Sequence, residues 1–204
     1  MIRLSDDDVG IQSGAEPILC DLWLEQARRG IVWVPNRVTN VWAQTLRMAL
    51  YGLREQESIE VLIDCGGGED TSFDLCLELW WRWKKRNRKP RPPPYKTKGD
   101  RGLKTTTTVL GEARSIGLSY AVCATQRLAM PGVTFAAHGA FDRAGARHES
   151  GVYLQDHYTA DWLARFTKRS YEDWLAYIDD GGVHEFGVAE ALKWGVIDEV
   201  LEGV

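Results

Sequence analysis

No stretch of this chain approaches the roughly 20 consecutive apolar residues that a bilayer-spanning helix requires, which excludes insertion by that route. Metal-type spacing is missing as well. The four cysteines (Cys20, Cys65, Cys76, Cys123) stand far apart, and no histidine pairs with a cysteine or carboxylate at zinc-ligand spacing, so neither a metal nor another cofactor is expected. Near the start, Ser5-Asp6-Asp7-Asp8 occupies the place where the apolar core of a secretory signal would be needed, and a reduced, cytoplasmic chain is the expectation. Nucleotide fingerprints also fail. The run Gly66-Gly67-Gly68 lacks the third glycine of G-x-G-x-x-G, since position 71 is Thr, and Gly102-Leu103-Lys104-Thr105 lacks a lysine directly after its glycine.

Charge of one sign is scarce everywhere except in one segment. From Arg82 to Lys104 there are eleven Lys or Arg against the single acid Asp100, leaving fourteen bases against twenty-eight acids in the remainder. Clustered cations can grip nucleic acid or an acidic partner. Here four prolines and mutual repulsion oppose helix and strand, so residues 84–104 read as a solvated loop inserted between a helix and a strand. The interleaved aromatics of a single-strand binder are absent, with Tyr95 alone in the loop, and nucleic acid is not an expected partner.

What is present fits one domain. A chain of 204 residues, 44% hydrophobic and 26% charged, buries roughly 70% of its unfolded surface as a single unit. Gly30 to Val34 is a β-branched run broken by Pro35-Asn36, and Asn40 can cap a helix whose Trp42, Leu46, Ala49, Leu50 and Leu53 share a face. Ile59 to Asp64 reads as a strand covered on both faces that runs into a glycine turn. Residues 71–83 have helical period, Thr105 to Leu110 is a third strand and Ile116 to Thr125 a helix; 127–137 holds two short strands around Pro131-Gly132, and Glu149 to Thr167 is a longer helix. Val188 to Trp194 is a short helix ended by Gly195, before a strand over Val196 to Val200. Such alternation predicts the α/β class with a mostly parallel sheet.

Two segments carry chemistry. Ser115, in Gly111-Glu112-Ala113-Arg114-Ser115-Ile116-Gly117, stands where a Thr-rich strand meets an Ala-rich helix, and His138 follows in Phe135-Ala136-Ala137-His138. A hydroxyl becomes nucleophilic when a base takes its proton, and the helix start favours developing negative charge. The alternatives are a serine that only caps the helix and a buried histidine satisfied by backbone. The glycine run suits an oxyanion hole or a phosphate cradle, although Glu69 and Asp70 after it repel anions.

The succession Ile63-Asp64-Cys65-Gly66-Gly67-Gly68, then Gly111 to Gly117, then Ala136-Ala137-His138, then Ala189-Glu190-Ala191-Leu192-Lys193-Trp194-Gly195-Val196-Ile197-Asp198 resembles the proteolytic subunit of the Clp protease, over Leu19 to about Val200. The crotonases, which bind coenzyme A thioesters, share that superfold without needing the Ser and His. The resemblance implies repeated β-β-α units and a serine endopeptidase, with Ser115 as nucleophile, His138 as general base, and the N–H groups of Gly68 and Ile116 as the oxyanion hole. It further implies a handle helix over 149–167 whose exposed aromatics form an interface, an axial N-terminal segment over 1–18, two stacked heptameric rings with or without paralogous subunits, and an AAA+ ATPase that feeds unfolded proteins to them.

Departures from the family pattern are local. Counting back from Gly195 puts the third triad residue at Val183, and counting forward from Ser170 puts it near Gly181, so Asp180 is the candidate acid, followed by Asp179 and Glu185. Arg114 stands where the family has a small residue, a place from which it can offset the acids at 69 and 70; Gly66 stands in place of proline, and Gly139-Ala140 replaces Gln-Pro after the histidine. A catalytically impaired paralogue in a mixed ring, or a capsid-maturation protease of phage type on the same fold, are the alternatives.

Overall fold

The computed structural model describes residues 16–52, 58–68, 104–140 and 151–202. Of the expected N-terminal segment 1–18 only 16–18 are described, as the start of a helix, and of the basic insert 84–104 only Lys104, as the start of a strand; the expected helix over 71–83, Glu69, Asp70 and His148 lie outside the described residues. In chain order the elements are α1 (Glu16–Arg28), β1 (Ile31–Val34), β2 (Arg37–Val38), α2 (Asn40–Gly52), β3 (Ser58–Cys65), β4 (Gly67–Gly68), β5 (Lys104–Arg114), α3 (Ile116–Val122), β6 (Gln126–Ala129), β7 (Thr134–His138), α4 (Gly151–Phe166), α5 (Tyr171–Ile178), β8 (Val183–Gly187), α6 (Val188–Trp194) and β9 (Glu199–Val200).

The sheet is mostly parallel, as the alternation predicts: β1, β3, β5, β6 and β9 lie side by side, and β7 pairs in parallel with β5 and antiparallel with β8. β3 alternates, with Ile59, Val61, Ile63 and Cys65 buried and Ser58 and Glu60 exposed, so it is fully covered on one face only, against the expectation of two. β5 runs four residues further than its threonine run suggests. Between Ile63/Val109 and Cys65/Ala113 the register slips, β5 using two more residues than β3, and the bulge falls at Gly111. A side chain there would stand 2.4 Å from Asp64 Oδ1, which instead accepts the Glu112 N–H. The bulge splits β5 into two pairing surfaces. Thr106 to Val109 pair with β6, and Glu112 to Arg114 pair with β7.

Helix α3 is buried along its whole length, between Thr107, whose hydroxyl donates to Ala121 O (2.8 Å), and Trp162 of α4, whose indole N–H donates to Ser119 O (3.1 Å). The buried face of α4 carries Ala160, Trp162 and Leu163. Helix α2 is capped by Thr39, not Asn40: the Thr39 hydroxyl accepts the Trp42 N–H. Gly195 ends α6 at φ 72°, with Val196 N–H on Ala191 O (2.8 Å), as expected of a left-handed C-terminal cap. Elements absent from the sequence reading are α1, β2, β4, α5 and β8.

Candidate functional site

Strand β5 ends at Arg114, and the chain turns abruptly into α3 at Ser115, with φ 53° and ψ −121°. These are the angles of the mirror-image turn position normally given to glycine. Ser115 is the single non-glycine residue at positive φ among the described residues. Its hydroxyl makes no capping hydrogen bond, so the plain helix-cap reading fails at this position. The conformation is held by neighbours: Ser115 N–H donates to Ala136 O (3.0 Å), Leu118 N–H donates to Ser115 O (3.0 Å), and Gly117 packs so closely on Cys65 that a Cβ would lie 2.9 Å from the Cys65 Cβ.

The glycine run lies against this serine. It is not a free turn, because Gly67 and Gly68 pair in parallel with Arg37 and Val38 of β2. A Cβ on Gly67 would sit in ordinary contact with Ser115, 3.4 Å from its Cβ and 3.9 Å from its Oγ, so there it is the φ of 131° that favours glycine, whereas one on Gly68 (φ 154°) would sit 2.2 Å from Val38 O, where only glycine lets the backbones approach. Ile116, the second expected oxyanion donor, is the buried first residue of α3, where an N–H has no partner within its own helix.

His138 ends β7, two residues beyond the Ala136 that holds the Ser115 N–H. Both candidates therefore leave the carboxyl ends of adjacent parallel strands. A hydrogen bond of the imidazole joins Nδ1 to Gly139 O (2.6 Å). A carbonyl only accepts, so Nδ1 carries the proton and Nε2 is the basic nitrogen.

Neither protein-family models nor curated protein sequences match this chain.

The third residue of the expected triad is where geometry and expectation part. Across the β7–β8 ladder His138 faces Val183, Ala137 faces His184 and Ala136 faces Glu185. Opposed residues share a face and successive ones alternate. Val183 thus occupies the place beside His138, 56% exposed. Asp180 lies three residues earlier, its Oδ1 accepting the Gly182 N–H (2.8 Å) and standing 2.7 Å from His184 Nε2. It supports an imidazole on the sheet face opposite to His138. Glu185 is held by Arg114 (2.6 Å), which also binds Glu112 (2.6 Å). That guanidinium arches over Ala136 and ties β5 to β8 across the strand that ends in His138; its acids among the described residues are these two. Asp179 closes the C-terminus of α5.

One carboxylate absent from the sequence reading reaches the site from α4. Asp156, 1% exposed, accepts the Ala140 N–H through Oδ1 (2.6 Å), two residues past His138. Its signal in the sequence is an acid at 156 on the stripe of Ala160 and Leu163, at the i, i+4, i+7 spacing of a buried helix face.

Other nucleophiles and bases nearby are occupied differently. Burial pushes the Cys65 thiol up to about 11, with the hydrogen bond to Gly67 O pulling the other way, and burial pushes Cys123 up to about 12. Both stay protonated at neutral pH, so neither is a ready nucleophile at this junction. His157 hydrogen-bonds the Tyr171 hydroxyl and stacks on its ring.

Proposed function

We propose that the chain is a serine endopeptidase of the Clp-protease and crotonase superfold, acting as one subunit of an ATP-dependent compartmental protease on unfolded polypeptides. The observation that carries this reading is Ser115: a non-glycine residue in a turn conformation that costs energy, with a hydroxyl that caps nothing, between two glycines and a histidine-bearing strand end. The carboxyl ends of parallel strands are where α/β sheets build their sites.

In this mechanism Ser115 Oγ attacks the scissile carbonyl while its proton passes to His138 Nε2. The developing oxyanion is received by the N–H groups of Gly68 and Ile116. Collapse of the tetrahedral intermediate breaks the C–N bond, and the imidazolium returns the proton to the departing amine. Water, deprotonated by the same nitrogen, then hydrolyses the acyl-enzyme. Loss of one oxyanion donor costs on the order of 10² to 10³ in rate. Heptameric rings stacked in pairs and an AAA+ unfoldase partner belong to the same reading.

A fluorophosphonate tests it directly. Intact and peptide mass spectrometry should find one adduct, on Ser115, and none in Ser115→Ala; an unlabelled wild-type chain in its assembled state removes the enzyme reading. Val183 opposite His138 favours one second reading, a catalytically impaired subunit of a mixed ring. That reading gains if Ser115→Ala leaves peptide hydrolysis by the mixed assembly unchanged.

A further inference from the structure

We propose that Asp156 is the acid of this site, acting on His138 through one intervening peptide group. This rests on the serine-hydrolase reading above. The two hydrogen bonds involved share a peptide unit: His138 Nδ1–H donates to Gly139 O (2.6 Å), and the N–H on the other side of that same amide, Ala140 N–H, donates to Asp156 Oδ1 (2.6 Å).

An amide that donates to a carboxylate becomes a better acceptor at its oxygen, because both bonds draw charge along the same N–C–O system, and in a low-dielectric setting such chains strengthen one another. Asp156 is 1% exposed, so water does little to screen its effect on the peptide. When Nε2 takes the serine proton, the positive charge on the ring is met at Nδ1 by a carbonyl polarised from behind. That is the task a triad aspartate performs by direct contact. The relay also fixes the ring: with Gly139 O held in place by the Asp156 bond to its own peptide, the Nδ1–H tautomer is the one that fits.

Two departures in the sequence fit this arrangement. The β8 residue opposite His138 is Val183 and not a carboxylate, and position 140 is Ala in place of the proline of the family pattern, which supplies the N–H that Asp156 binds. Asp156 is therefore a positioning residue; it touches neither substrate nor Ser115 in this scheme.

The experiment measures fluorophosphonate acylation of Ser115 and peptide turnover in the assembled protein, alongside its melting temperature. Asp156→Asn keeps an acceptor oxygen for Ala140 but removes the charge. It should slow acylation at least about tenfold, within the roughly 10⁴-fold range of direct acid loss, with KM and melting little changed. Ala140→Pro removes the donor and should slow the reaction similarly; combined with Asp156→Asn it should add nothing further, as members of one unit do. Val183→Asp, which places a carboxylate beside His138, should restore much of the rate in the Asp156→Asn background. A purely structural Asp156 would show melting and rate falling together without rescue, and that outcome overturns the relay. So does a folded Asp156→Asn or Ala140→Pro that acylates at the wild-type rate. Should Asp156→Asn not fold, Ala140→Pro alone and its rescue by Val183→Asp decide the matter. A wild-type protein with no Ser115 adduct sinks the serine-hydrolase reading itself, whereas normal wild-type labelling with unaffected variants sinks the relay alone.

Discussion

At the scale of single residues, Ser115 carries a cost that its fold does not need. A side chain at φ 53° opposes the steric preference of L-residues, worth about 1–3 kcal/mol at such positions. Glycine would adopt the turn freely and give back up to about 1 kcal/mol in unfolded-state entropy. Ser115→Gly should therefore be more stable than Ser115→Ala by about 1 kcal/mol in urea unfolding, while both abolish acylation. Equal stabilities would mean that the turn is not strained. The serine itself was legible in the sequence, because a threonine strand giving way to an alanine-rich helix exposes whatever stands at the junction. The acid proposed for it was not: Asp180 reads as a candidate from spacing alone, but a one-residue change of register moves a side chain to the other face of a sheet. Its carboxylate accordingly serves His184. Asp156 was hidden for the opposite reason, since its relation to His138 depends on how α4 packs on the end of β7.

At the scale of elements, the ends of four pieces meet at Arg127 of β6. Its Nη1 donates to Gly195 O (2.6 Å) beyond α6 and to Phe166 O (2.5 Å) at the end of α4, and its Nε and Nη2 fork onto Asp198 just before β9. Burial works to raise the Asp198 carboxyl, but the Arg127 guanidinium, by hydrogen bonds and charge, outweighs it and holds the group below the usual carboxylate range. A depressed folded-state value contributes stability that is present above the unfolded value of about 3.9 and is lost as pH falls through the folded value. Stability should drop below about pH 4 in the wild type and drop less steeply in Asp198→Asn. Arg127→Met, which also strands two carbonyls, should cost about 2 kcal/mol at pH 7. Urea unfolding at pH 7 and pH 3 checks both; an acid limb unchanged by Asp198→Asn refutes the linkage. Elements with a strong local period, such as β3, α2 and α6, were legible in the sequence. The pairing of β2 with β4 was not, because it rests on two residues at each side and on glycines whose role is to admit a distant backbone.

At the scale of the whole molecule, α4 must satisfy two demands if the chain assembles into stacked rings. The expected interface is its exposed aromatics, and Trp162 is not one of them: with Leu163 it is core, its indole bound to Ser119 O of α3. The outward side is another stripe: Tyr158, 57% exposed, followed at i+3 and i+7 by the ion pair of half-buried Asp161 and exposed Arg165 (2.6 Å). Among the described side chains, a ring-to-ring contact made by this helix has to use that stripe, because the opposite one is spent on holding α3 and, through Asp156, the segment after His138. Tyr158→Asp should then halve the particle mass in sedimentation, turning double rings into single ones, while the melting temperature of the subunit hardly moves. Trp162→Ala, by contrast, removes a buried indole and should destabilise the subunit by about 3–5 kcal/mol. Intact double rings in Tyr158→Asp would separate the helix from the assembly and leave α4 with the single task of bracing the ends of β5 and β7.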